Sequence, residues 1–129
     1  MQQKPMTEQL DEMRDGLYGC RLLAFADLAA GLVLCHSAER RPPQEEMDAL
    51  CDMAATMLDG TAAEGAAEAL DGDGRIDQAI ALPEGESFLF LRSPTHPEEA
   101  LLCVGEPVFD LEAALEAGRA LLERNGGEA

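Results

Sequence analysis

The chain has 129 residues, 26 of them acidic against nine basic, with a formal charge of −17 and an isoelectric point near 4.2. Every phosphate contact would begin from repulsion, which argues against nucleic acid and anionic lipid as partners and leaves a basic protein surface, or plain solubility, as the use of the charge. A chain of this size buries enough surface to fold without staples, so one domain over 1–129 is expected, with 1–5 and 126–129 as disordered ends.

The opening Met1-Gln2-Gln3-Lys4-Pro5-Met6-Thr7 lacks a basic stretch followed by an apolar core, and no apolar run is long enough to cross a bilayer. No membrane insertion and a cytoplasmic location are therefore expected. Thr7 is placed to cap a first helix that carries Leu10, Met13 and Leu17 at helical spacing and stops near Gly16 to Gly19. Two apolar runs, 20–27 and 32–36, then flank a small-residue break with Asp27 and Gly31, where glycine tolerates the positive φ of a tight β connection. This reads as a β-hairpin. Its arms show little polar alternation, so helices should cover both faces of the sheet.

Arg40-Arg41-Pro42-Pro43 breaks the pattern ahead of a helix at 43–58, where Met47, Leu50, Cys51, Ala54, Met57 and Leu58 form one stripe and Glu45, Glu46, Asp48 and Asp52 lie mostly off it. Residues 61–74 turn to Ala, Glu and Gly, whose small side chains bury too little area to offset ordering, so a flexible loop is expected. Strands follow at 76–82, 87–92 and 100–105, joined by short connections that suit antiparallel neighbours. Asp110 can cap a last helix with Leu111, Ala114, Leu115, Gly118, Leu121 and Leu122 on one face and Asn125-Gly126 as its stop. The result is an α/β (α+β) chain of order α-β-β-α-β-β-β-α. Joining the last strand to the first gives a five-stranded antiparallel sheet with the second and third strands at its edges, the outer helices on one face and the middle helix on the other.

Chemistry-bearing residues are sparse. Cys20, Cys35, Cys51 and Cys103 are scattered without a Cys-x-x-Cys pair and read as reduced core thiols, although Cys20 and Cys35 sit on two arms of one hairpin and could face each other. His36 and His96 have no partner at a metal-ligand spacing, and Cys35 and His36, adjacent on a strand, point to opposite faces. In Asp71-Gly72-Asp73-Gly74-Arg75-Ile76 an EF-hand register would put Ala69 first and Ile80 twelfth, which removes both the opening carboxylate and the bidentate Glu. No Gly-x-x-x-x-Gly-Lys loop exists, and Lys4 is the one lysine. No cofactor, metal or catalytic residue is expected.

Gly19-Cys20-Arg21-Leu22-Leu23-Ala24-Phe25-Ala26-Asp27, Gly31-Leu32-Val33-Leu34, Ser87-Phe88-Leu89-Phe90-Leu91-Arg92 and Ala100-Leu101-Leu102-Cys103-Val104 resemble the first, second and closing strands of the Roadblock/dynein light-chain family. The family's Asp-x-x-Gly turn is stretched here to Asp27-Leu28-Ala29-Ala30-Gly31. The resemblance implies a non-catalytic homodimer that pairs the third strands and sets the second helices side by side, serving as scaffold or regulator for Ras-like small GTPases or larger complexes. It puts Met47, Leu50, Ala54, Ile76, Gln78 and Ile80 at the dimer interface. The strand itself supports this, because 76–82 is an edge with one charge and no internal proline. Glu45, Glu46, Asp48 and Asp52 would then offer a shared acidic surface to a basic patch on the GTPase. The alternative is an acidic, dimeric secretion-type chaperone for an extended client, whose pattern places three strands, not two, between the first two helices.

Overall fold

A computed structural model describes residues 5–59, 78–82 and 85–126. The elements are α1 (Met6–Asp15), β1 (Cys20–Asp27), β2 (Leu32–Ala38), α2 (Gln44–Asp59), β3 (Gln78–Ala81), β4 (Ser87–Arg92), β5 (Glu99–Gly105) and α3 (Leu111–Gly126). All strand pairings are antiparallel, in the order β2-β1-β5-β4-β3, so β2 and β3 are the edges and two strands separate α1 from α2.

The alternation of side chains along the central strands builds two cores. On one face Leu22, Ala24, Phe88, Phe90, Leu102 and Val104 meet Met47, Leu50, Cys51, Ala54 and Leu58 of α2. On the other, Leu23, Leu89, Leu91, Leu101 and Cys103 meet Leu10 and Met13 of α1 and Ala114, Leu121 and Leu122 of α3. The expected layering of one helix against two is therefore present. β4 is buried along its whole length, as its unbroken apolar run requires when both faces are covered.

Local chemistry explains the boundaries. At Gly31 the backbone has φ of 69° with open space around the α-carbon, so conformation and not packing selects glycine; Asp27 Oδ1 braces the same turn by accepting from the Ala30 amide at 3.0 Å. Asp110 Oδ1 accepts from the Ala113 amide at 3.0 Å and caps α3 as expected. The first helix departs from expectation. It begins at Met6, ahead of Thr7, because Pro5 presets the entry (φ −56°, ψ 149°) and its carbonyl takes the Gln9 amide at 3.1 Å.

Other bounds differ too: α2 lies at Gln44–Asp59 against an expected 43–58 and β5 starts at Glu99, shifts of one residue, and three more differ as well. β2 runs past His36 to Ala38, since buried Ser37 is gripped from α1 by the Arg14 guanidinium, which donates at 2.9 Å, and by Asp11, which accepts from the hydroxyl. α3 runs through Asn125 to Gly126, because Asn125 and Gln9 of α1 exchange amide hydrogen bonds at 3.0 and 3.2 Å that hold the last turn. β3 is described from Gln78 to Ala81, so Leu82 falls after it; Ile76, the 61–74 segment and its EF-hand-like stretch, and Pro83 and Glu84 of the turn lie outside the described residues.

A buried cation ties the layers together. Arg92, on the last position of β4, is 7% exposed and donates to the Leu58 carbonyl at 2.9 Å and the Pro97 carbonyl at 2.7 Å. The first of these groups belongs to the last turn of α2, where carbonyls lack helical partners and a positive charge is favoured.

Candidate protein interface

The stripe of α2 that faces the sheet leaves Glu45, Asp48 and Asp52 exposed on the far side, together with Ala49 and Thr56. Gln44 Nε2 donates to Asp48 at 2.9 Å across one helical turn and steadies that carboxylate. Glu46 is also exposed but turns toward one flank, where it lines a groove of about 380 Å³ between the start of α2 and the neighbouring ends of the strands. The groove has Leu22 and Val104 in its lining, Arg40-Arg41-Pro42-Pro43 as one wall, and the Arg21–Glu86 ion pair at 2.8 Å. Three of the nine cations of the chain meet there, beside three glutamates. In the sequence Arg40-Arg41-Pro42-Pro43 marks only the break ahead of α2; an adjacent pair of arginines in so acidic a chain is the one local sign of this groove.

The residues assigned to a dimer interface do not come together in one subunit. Met47, Leu50 and Ala54 are buried under α2 against their own sheet. Their side chains are core, because the stripe that makes α2 amphipathic is the one it needs to fold, and they are not available at the surface of a single chain. Gln78 and Ile80 lie on the opposite face, across from Leu91 and Leu89, which belong to the α1/α3 core. Ile80 is 45% exposed, Leu82 beyond it is exposed too, and Arg119 of α3 donates to the Gln78 side chain. Ile76 lies outside the described residues.

The four cysteines are free. Cys51 and Cys103 are buried, whereas Cys20 and Cys35 are half-buried. The pairing of Cys35 with Phe25, and of Cys20 with Gly105 on the other side of β1, separates these two along the hairpin, so they do not face each other. Burial pushes the Cys20 thiol up to about 11, against smaller lowering effects of a backbone hydrogen bond at Leu22 and of the Arg14 charge. Burial likewise raises Cys35, Cys51 and, most strongly, Cys103; the carboxylates of Asp48 and Asp52 add to the shift at Cys51. Each thiol is thus held in its protonated, weakly nucleophilic form near neutral pH. Cys35 and His36 do face opposite ways, toward the α1/α3 and α2 sides, since their partners Phe25 and Ala24 belong to those cores. His96 is exposed, 3.1 Å from the Thr95 hydroxyl and 3.9 Å from Glu99. Among the described residues no three His, Cys, Asp or Glu side chains group as metal ligands, and no helix is long and apolar enough to cross a membrane.

No protein-family model and no curated protein matches the chain. Solved structures do. A Roadblock/LC7 domain from Streptomyces avermitilis superposes with a TM-score of 0.75 at 11% identity, over 94% of each chain. The gliding protein MglB from Thermus thermophilus gives 0.74 at 21% identity, over 100% of this chain and 96% of the other. A structure of MglB in a tetrameric arrangement gives 0.75 at 22% identity, over 95% and 88%. Identities of this size speak to architecture, and the architecture of this chain is that of the Roadblock/LC7 domain.

Proposed function

We propose that the chain is a non-catalytic homodimeric scaffold or regulator whose client is a Ras-like small GTPase. The observation that carries the reading is the match of nearly the whole chain to Roadblock/LC7 and MglB structures, combined with an acidic outer stripe on the second helix. The tetrameric arrangement of MglB supports self-association of the fold. The edge strand β3, uncharged over Gln78–Ala81 and followed by exposed Leu82, supplies the seam, with the backbone ladder continuing across the two-fold axis. Met47, Leu50 and Ala54 then act by shaping α2 from beneath, and the seam itself rests on the β3 ladder.

Glu45, Asp48 and Asp52, doubled by the two-fold axis, would attract a basic patch and repel acidic competitors. The test reverses Glu45 and Asp52 to Lys together. Association with a purified Ras-like GTPase loaded with a non-hydrolysable GTP analogue should weaken about tenfold, while sedimentation still reports the wild-type mass. Equal affinity after reversal would remove the α2 surface from the reading. An unchanged mass after Ile80→Pro, which deletes a ladder donor, would remove the β3 seam.

A further inference from the structure

The second edge of the sheet has its own polarity. β2, Leu-Val-Leu-Cys-His-Ser-Ala over Leu32–Ala38, contains no Lys, Arg, Asp, Glu or Pro in a chain where more than a quarter of residues are charged, so of the usual guards of an exposed edge it carries a bulge and no charge or proline. Leu32 is 55% and Leu34 51% exposed, and β2 pairs only with β1 among the described strands. Leu34 is the extra residue of a bulge, sitting between the Phe25–Cys35 and Ala26–Val33 pairs.

Charge gathers differently at the two ends of this edge. At the Leu32 end the nearest acid is Asp27 on the adjacent strand β1, with Glu98 and Glu99 beyond it on the β5 side. Just past its end come Arg40 and Arg41, both exposed and with neither ion pair nor hydrogen bond among the described residues, although Glu39 and Glu46 share their groove.

We propose that β2 receives an extended peptide segment of a partner protein as a sixth, antiparallel strand. Its alternate apolar side chains would lie against Leu32 and Leu34, and acidic residues on the N-terminal side of its apolar run would reach Arg40 and Arg41. Antiparallel addition continues the pattern of every pair in the sheet, main-chain bonds supply the attraction, and the flanking charges select the orientation. The opposite polarity would carry the acids of the segment away from Arg40 and Arg41 to the Leu32 end of β2, where no cation lies in the strand and Asp27 stands on the next strand in. This site is independent of the α2 surface and of the β3 seam.

The probe is a fluorescein-labelled peptide of two aspartates followed by alternating valine and threonine, compared by anisotropy with its sequence reversal. The forward peptide should bind at least about tenfold more tightly, and Arg40→Glu with Arg41→Glu, both exposed positions, should erase that preference. N-methylation of the peptide amides that face β2 should abolish binding, whereas methylation of the intervening amides should not. Amide exchange should slow at 32–38 and remain unchanged at 78–81. No binding, equal binding of both polarities, indifference to N-methylation, or protection at β3 instead of β2 would each overturn the proposal.

Discussion

Replacing Arg92 by Met keeps most of the buried volume and removes the guanidinium that joins β4 to the end of α2. Two charge-assisted hydrogen bonds, to the Leu58 and Pro97 carbonyls, are lost. Each is worth about 1.5 to 3 kcal/mol, and the favourable placement of a cation at a helix C-terminus adds about 0.3 to 1 kcal/mol. Against this, the variant no longer desolvates a charge, which returns a few kcal/mol. The net expectation is a loss of about 2 to 4 kcal/mol, or a melting temperature lower by roughly 6 to 16 °C for a chain of this length. Arg92→Lys keeps the charge but not the planar fork that reaches two carbonyls, so it should fall about midway. The assay is thermal unfolding by circular dichroism at neutral pH, with hydrogen exchange across 55–59 reporting on the last turn of α2. A Met variant within about 1 kcal/mol of wild type, or a Lys variant no better than Met, would refute the reasoning.

Gly105→Ala should cost about 1 to 3 kcal/mol by overpacking, because its β-carbon would fall 2.4 Å from the Phe109 ring, and Phe109 is pinned by its N–H donating to the Glu106 carbonyl and by Gly19 against its α-carbon. Phe109→Ala removes the ring atoms at 2.4 Å, so in chemical denaturation the double variant should lose less than the sum of the two single losses; strict additivity would show that the clash is not with the ring. Stability should also fall with alkali. The folded thiols lie above their ordinary 9.0, Cys20 at about 11, so the folded chain binds more protons than the unfolded one. Their contribution is therefore complete below about pH 9 and is lost as pH climbs through the folded values. Melting temperatures recorded upward from neutral pH should decline past that point, and less steeply in Cys20→Ala; a flat profile would contradict the assignment.

What the chain determines by itself is the local side of the fold. Helical spacing marks Met47, Leu50, Cys51, Ala54 and Leu58 as one buried stripe, the apolar runs 87–92 and 100–105 mark strands covered on both faces, and Asp27 with Gly31 marks the hairpin, because periodicity and turn chemistry act over a few residues. Interfaces were harder to read from the same pattern. The stripe of α2 looks equally ready for a partner helix or for its own sheet, and only the folded register puts Met47, Leu50 and Ala54 on one side of the sheet and Ile80 on the other. The same holds for the long-range ties. Arg92 reaches Leu58 across 34 positions and Gln9 meets Asn125 across 116. The acidic cluster at the hairpin end of the sheet likewise depends on cross-strand pairing, which brings Glu99 beside Asp27. Such contacts form where strand order and helix packing bring distant residues together, and hydrophobic period carries no record of which distant side chain will be there.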